Sequence, residues 1–278
     1  MVTVLEKGEL RLYRNLGGPA SFANPLPADV LAVGQGPLGI DLGDLNDDQR
    51  IDAVVGLVDE KALRVLLGQG GGAFQPLPPL ALAFAPLSIL CADFDGDGQV
   101  DVAATGRADA GEVVTVFAGD GAGGLTLRGT WAVAFDAGNL SMGDLDENGQ
   151  LDLVVGQLTV LTDEVLVLLN QGAFAFAATP LGLSAGPGTP LIADADRDGH
   201  LDLLVLSTGG ELALARGSGT GSFVALTRTA GELPCPDGTV SATLADLDGD
   251  GLPELLMVTP EAPFVWSARN ISQEPVND

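Results

Sequence analysis

Short apolar runs separated by polar turns make up nearly the whole chain. "LSILCAD" leads into an acidic turn, "DVAATG" leads out of it, and "EVVTVFAG" follows a second turn. Val, Leu and Thr dominate these runs, Gly punctuates them, and no window sustains a helical period. The pattern predicts short β-strands: three in this window and a weaker fourth after the next Gly-rich turn.

The same window recurs along the chain. Its acidic turn and following strand return as "GDLNDDQRIDAVVG", "ADFDGDGQVDVAAT", "GDLDENGQLDLVVG", "ADADRDGHLDLLVL" and "ADLDGDGLPELLMV", with first aspartates at Asp44, Asp93, Asp144, Asp194 and Asp246, spaced by 49, 51, 50 and 52 residues. An apolar strand, a Gly-rich turn and an aromatic or Leu follow each of the first four, ending at Phe74, Leu125, Phe174 and Phe223. "LRLYRNLGGPASF" supplies this second element alone at the N-terminus, and "FVWSARNISQEPVND" resembles it at the C-terminus without the closing turn. So the chain starts and ends inside a repeat.

Four-stranded units repeating at about 50 residues predict an all-β fold, a β-propeller, whose ring closure hides most strand edges. A β-sandwich does not explain the period, and a helical solenoid needs helices that the pattern lacks. About 22 strands are expected in one domain over residues 1–278, with residues 1–27 as a partial N-terminal blade. The expected blade number is six, with five or seven as alternatives. The residue before each first Asp is small (Gly43, Ala92, Gly143, Ala193, Ala245), and the one before that is apolar. This alternation suits an innermost strand where blades converge. It places Cys91 in the core as a buried free thiol, with a Cys91–Cys235 disulfide the lesser reading.

Composition narrows the function. Net charge is −26, and Lys7 and Lys61 are the lysines. Such a surface should repel nucleic acid and anionic membranes. The most apolar stretch, "PLPPLALAFAPLSILCA", is broken by prolines, so no membrane-spanning helix is expected. "MVTVLEKGELRLY" is too charged for a signal peptide.

Like charges packed into nine residues call for a cation, and the loops offer oxygen. Carboxylates at positions 1, 3, 5 and 9, with a backbone carbonyl at 7, suit Ca2+, which takes six to eight oxygens at flexible geometry. Zn2+ would want His or Cys. The candidate ligands are Asp44, Asn46, Asp48, Arg50 and Asp52 in the first loop, and Asp93, Asp95, Asp97, Gln99 and Asp101 in the second. The third offers Asp144, Asp146, Asn148, Gln150 and Asp152; the fourth, Asp194, Asp196, Asp198, His200 and Asp202; the fifth, Asp246, Asp248, Asp250, Leu252 and Glu254. Arg50, Gln99, Gln150, His200 and Leu252 would bind through their carbonyls. Gly at position 6 lets the backbone turn at positive φ. An EF-hand is excluded, because its position-12 Glu is replaced by Val55, Ala104, Val155, Val205 and Met257, in runs that read as strand. About five Ca2+ ions are expected, in a mainly structural role.

Between two strands and ahead of a GxF turn, this loop resembles the FG-GAP/VCBS repeat of integrin α-subunit propellers and many bacterial surface proteins. The resemblance implies a Ca2+-bearing propeller with an ion between the first and second strands of a blade, in a family of adhesion modules, lectin-like binders and ancillary enzyme domains. The second and fourth loops match its pattern fully. The first departs most, with Asn46 at position 3 and Gln49 in place of Gly.

Catalysis finds little support: His200 is the one histidine, and many acids are committed to the loops. Asp109, Asp136 and Glu164 read as surface residues, and Tyr13, Trp131 and Trp266 as core. Asn139 and Asn270 head weak glycosylation sequons. The expectation is a non-enzymatic, extracellular, cell-surface or periplasmic binding module for a protein ligand. It should be monomeric unless part of a longer chain. A carbohydrate-binding role is the first alternative, and an ancillary domain of a polysaccharide-active enzyme the second.

Overall fold

The computed structural model describes residues 2–6, 8–13, 30–158, 164–183, 188–207, 212–226, 241–245, 254–259 and 262–268. Every regular element among them is a β-strand, and the strands form six antiparallel sheets in chain order. Two compact units divide the chain, residues 1–134 and 135–278.

The first unit opens with a three-stranded sheet of β1 (Val2–Glu6), β2 (Glu9–Tyr13) and β3 (Val30–Ala32). β4 (Pro37–Gly43), β5 (Asp52–Leu57), β6 (Ala62–Gly70), β7 (Ala73–Pro76) and β8 (Leu80–Ala81) make the next sheet. Its outer edge is split, since β7 and β8 both pair with β6. Pro76, Pro78 and Pro79 cannot donate to a ladder, which breaks that strand in two. β9 (Phe84–Ala92), β10 (Asp101–Ala108), β11 (Gly111–Gly119) and β12 (Leu125–Val133) complete the unit as an unbroken meander.

In the second unit, β13 (Ala137–Gly143), β14 (Asp152–Gln157), β15 (Glu164–Asn170) and β16 (Phe176–Gly182) form one sheet. β17 (Gly188–Ala193), β18 (Asp202–Ser207), β19 (Leu212–Gly217) and β20 (Phe223–Leu226) form another. β21 (Ser241–Ala245), β22 (Glu254–Thr259) and β23 (Ala262–Ala268) form a three-stranded sheet. The terminal sheets thus hold three strands each among the described residues, as the two partial repeats predict.

Sheets pack face to face within each unit, so the second strand of a sheet is apolar on both sides. β5 and β14 are buried along their whole length, which explains continuous runs such as "DAVVGL". Leu10 and Leu12 of the N-terminal sheet pack with Val55, Leu57 and Leu66. Val54, Leu63 and Val65 meet Ile89, Val102 and Phe117. In the second unit Val154 and Val167 meet Leu203, Val205 and Ala215. Cys91 lies in the first unit's core as a free thiol, and burial pushes its pKa well above the usual thiol range. Cys235 lies outside the described residues.

The glycine ahead of the first and third loops has a steric reason. A Cβ on Gly43 would sit 3.0 Å from Val100 of the second loop, and one on Gly143 would sit 3.1 Å from both Ile192 and Leu201.

One aromatic falls elsewhere than the repeat predicts. At or near its first residue each outer strand pairs with the third strand in the same register, as Gly68↔Phe74, Gly119↔Leu125, Asn170↔Phe176 and Gly217↔Phe223. The third repeat therefore uses Phe176, which is buried, and not Phe174. Ala173 and Phe174 instead take left-handed φ values of 49° and 62° inside the turn.

Candidate metal centre

One hairpin register repeats five times. The small residue before the loop pairs with position 9, in Gly43↔Asp52, Ala92↔Asp101, Gly143↔Asp152, Ala193↔Asp202 and Ala245↔Glu254. Of the fifth loop, Glu254 begins β22, while Asp246, Asp248, Asp250 and Leu252 lie outside the described residues.

Position 9 is the anchor. Asp52, Asp101, Asp152 and Asp202 have no exposed surface. One oxygen of each accepts the backbone N–H of position 2, from Leu45, Phe94, Leu145 and Ala195 at 2.7–2.9 Å. The other accepts an N–H at the end of the third strand, from Gly68, Gly119, Asn170 and Gly217 at 2.6–2.9 Å. Each carboxylate thus ties its loop to the sheet through both oxygens. Burial still dominates its titration. Desolvation, helped by neighbouring loop carboxylates, raises all four pKa values, to about 6 for Asp101 and Asp152.

Glycine at the third-strand end is required by close approach. A Cβ on Gly68, Gly119 or Gly217 would lie 2.0–2.2 Å from the position-8 carbonyl, of Ile51, Val100 or Leu201. The third loop solves this differently: Asn170 is buried there, and its Nδ2 donates to the matching carbonyl, Leu151 O, at 3.1 Å.

Positions 4 and 6 are both left-handed. Position 6 has φ of 64° at Gln49, 86° at Gly98, 84° at Gly149 and 93° at Gly199; position 4 has 56° at Asp47, 79° at Gly96, 58° at Glu147 and 66° at Arg197. The second requirement was hidden in the sequence, because position 4 is glycine in only some of the repeats. This curl turns backbone N–H groups inward, so position 1 accepts the position-6 N–H in all four loops, at 2.7–3.1 Å. Position 5 accepts the N–H of position 7: Arg50 to Asp48, Gln99 to Asp97, Gln150 to Asn148 and His200 to Asp198, at 2.7–2.9 Å.

Positions 1, 3 and 9 converge. Asp93, Asp95 and Asp101 each bring an oxygen within 4.8 Å of the others, as do Asp144, Asp146 and Asp152, and Asp194, Asp196 and Asp202. Asp146 Oδ1 and Asp194 Oδ1 are buried without a hydrogen-bond partner. An all-oxygen set with unpaired buried oxygens fits a hard cation. In the first loop position 3 is Asn46, and no such trio forms among the described residues.

Neighbouring sheets lean on these loops. The position-2 carbonyl accepts from a turn glycine of the following sheet, Gly123 N to Leu45 O at 2.9 Å and Gly221 N to Leu145 O at 3.0 Å. Glu147 of the third loop meets His200 Nδ1 of the fourth at 2.5 Å, which raises the His200 pKa. Arg216 Nε lies 2.9 Å from Asp196 Oδ2, a charge contact whose N–H is not aimed at the oxygen.

The remaining candidates are scattered. Asp109 is exposed and pairs with Lys61 at 3.0 Å. Asp136, Glu164, Trp131 and Tyr13 are half-buried, so neither the surface nor the core reading fits them fully. Asn139 donates to Thr189 at 2.7 Å. Trp266 lies on β23, and Asn270 is outside the described residues.

The family model for an FG-GAP-like repeat matches residues 44–104, 93–155 and 194–257. No curated protein sequence matches the chain. Among solved structures, a functionally unknown protein from Desulfotomaculum acetoxidans is 9% identical over 92% of this chain and 72% of its own, with a TM-score of 0.64. BBS1N, crystallised in complex with ARL6DN, is 15% identical over 92% of this chain and 71% of its own, at 0.57. The Aleuria aurantia lectin, in complex with a fucosylated GlcNAc, is 11% identical over 97% of this chain and 90% of its own, at 0.56. These likenesses concern the fold, and with the repeats they identify it as a β-propeller.

Proposed function

Because the chain belongs to the FG-GAP-like repeat family, we propose that it is a Ca2+-stabilised, non-catalytic binding module that works outside the cytoplasm on a protein ligand. The observation that carries the metal reading is the convergence of three carboxylates in each of three loops, with Asp146 Oδ1 and Asp194 Oδ1 buried and unpaired. Asp93, Asp95, Asp97 and Asp101 would hold the ion in the second loop, with the Gln99 carbonyl. Asp144, Asp146, Asn148 and Asp152 would do so in the third with Gln150, and Asp194, Asp196, Asp198 and Asp202 in the fourth with His200. Asp246, Asp248, Asp250 and Glu254 would serve the fifth, with Leu252.

A bound ion supplies the positive charge that these clusters otherwise lack. The chain's own contribution is to hold the oxygens together through the position-9 anchor and the two left-handed turns. Such sites suit a compartment rich in Ca2+, since extracellular modules commonly work at ~10⁻⁴–10⁻³ M.

The binding role is supported by the fold alone. BBS1N, which shares it, was crystallised with a protein partner. A glycan ligand is the second reading, supported by the lectin's near-complete coverage and by half-buried Trp131 on the outer strand β12. A protein and glycan array probed with and without EDTA tests both. Binding of a protein that weakens on chelation is the expected result, binding of glycans alone favours the second reading, and catalytic turnover of any bound glycan rejects the non-enzymatic assignment.

A further inference from the structure

The first loop settles its charge unlike the second. Asp48 Oδ1 accepts the Arg50 backbone N–H at 2.9 Å, and its Oδ2 receives both the Asn46 amide, at 2.8 Å, and the Arg50 guanidinium. A second bond fixes Arg50, from Nε to Gly68 O at 2.7 Å on the third strand of the same sheet. The guanidinium is therefore clamped between the loop and β6, with its charge on the position-5 carboxylate.

Position 7 is where the loops part. Gln99 and Gln150 stand there in the second and third, and neither carries charge. His200 stands there in the fourth but turns to Glu147 of the neighbouring loop. Arg216 approaches the fourth loop from β19, yet Asp194, Asp196 and Asp202 still converge. In the first loop Asn46 removes one carboxylate and its amide donates to Asp48. The oxygen left over, Asn46 Oδ1, is buried and unpaired but neutral. A dication placed among Asp44, Asp48 and Asp52 would face a fixed guanidinium at close range, where like charges repel.

We infer that the first loop takes no Ca2+, because Arg50 is its built-in cation, and that the ions bind at the later loops alone. The inference rests on the Ca2+ reading of those later loops, but its test separates the two. Hydrogen exchange of the full chain is followed with Ca2+ and with EDTA, beside ion counting by native mass spectrometry. The expected result is faster exchange in residues 93–101 on chelation and no change in residues 44–52. Asp93→Asn should lower the ion count by one, Asp44→Asn should leave it unchanged, and Asn46→Asp with Arg50→Gln should raise it by one. Chelation-sensitive exchange in 44–52, or the loss of one ion in Asp44→Asn, overturns the inference. If the parent protein binds no Ca2+ at all, the proposed function fails, and Arg50→Gln in EDTA then decides. Exchange in 44–52 faster by about threefold upholds Arg50 as the loop's cation, whereas unchanged exchange overturns it.

Discussion

The first and second acidic loops sit on the same hairpin and treat their charge in opposite ways. In both, position 9 is wholly buried, pairs with the small residue ahead of the loop, and accepts one N–H from position 2 and one from the third strand. In both, positions 4 and 6 are left-handed. The second loop meets that demand with Gly96 and Gly98. The first uses Asp47 and Gln49, at roughly 1 kcal/mol or more of strain each. Where the second gathers three carboxylates, the first spends one position on Asn46 and pairs another with Arg50. The anchor and the two turns shape both loops alike, and on the proposed reading a cation, bound in the second loop and built into the first, offsets the repulsion among their carboxylates.

The comparison is most exposed at its shared part. Asp52→Ala and Asp101→Ala each strand two backbone N–H groups, both buried at Asp52 and one buried and one part-buried at Asp101, so in EDTA each should lower the unfolding free energy by about 2–4 kcal/mol. Urea denaturation measures this, and a clearly unequal pair would show that the anchor is not common to both loops.

Chelation should come next. An ion held at a hundred times its Kd contributes about 2.7 kcal/mol through mass action, so EDTA should lower the melting temperature. A melting curve that does not move would sink the Ca2+ reading. A smaller difference separates position 3. With Ca2+ present, Asp95→Ala should destabilise more than Asn46→Ala by about 1 kcal/mol, and the reverse order would erase the contrast between the loops.

A further contrast lies in pH. Asp101 and Asp152 have folded pKa values near 6, above their ordinary 3.8. Below about pH 6 the chelated native state takes up protons that the unfolded chain binds only at lower pH. Stability in EDTA should therefore rise as pH falls from 7 towards 5, and be lost again as it climbs back through 6. With Ca2+ present the protons compete with the ion, so the gain should shrink or reverse. Thermal scans at the two pH values decide it; a lower melting temperature at pH 5 in EDTA contradicts the burial argument.

Much of this was legible in the sequence because it is encoded locally. Aspartate spacing and Gly98, Gly149 and Gly199 mark the hairpins, and the 50-residue period marks the sheets. Other features depend on what approaches from elsewhere in the chain. The glycine at 68, 119 and 217 is dictated by a carbonyl sixteen to nineteen residues earlier in sequence, and Asn170 satisfies the corresponding carbonyl by other means. Phe174 fits the turn motif, but register chose Phe176. Arg50 read as a carbonyl ligand; the contacts of its guanidinium with Gly68 O and Asp48 depend on the fold and were not legible in the sequence.

The bonds from Gly123 to Leu45 and from Gly221 to Leu145 carry a consequence for how the protein is made. The first and third acidic loops emerge from the ribosome before the turns that cap their position-2 carbonyls. A nascent chain that has just completed β7 holds a formed loop whose last partner has not yet been translated. In these two pairs of sheets the later one finishes the earlier, so a ribosome stalled between them leaves the earlier loop's carbonyl uncapped.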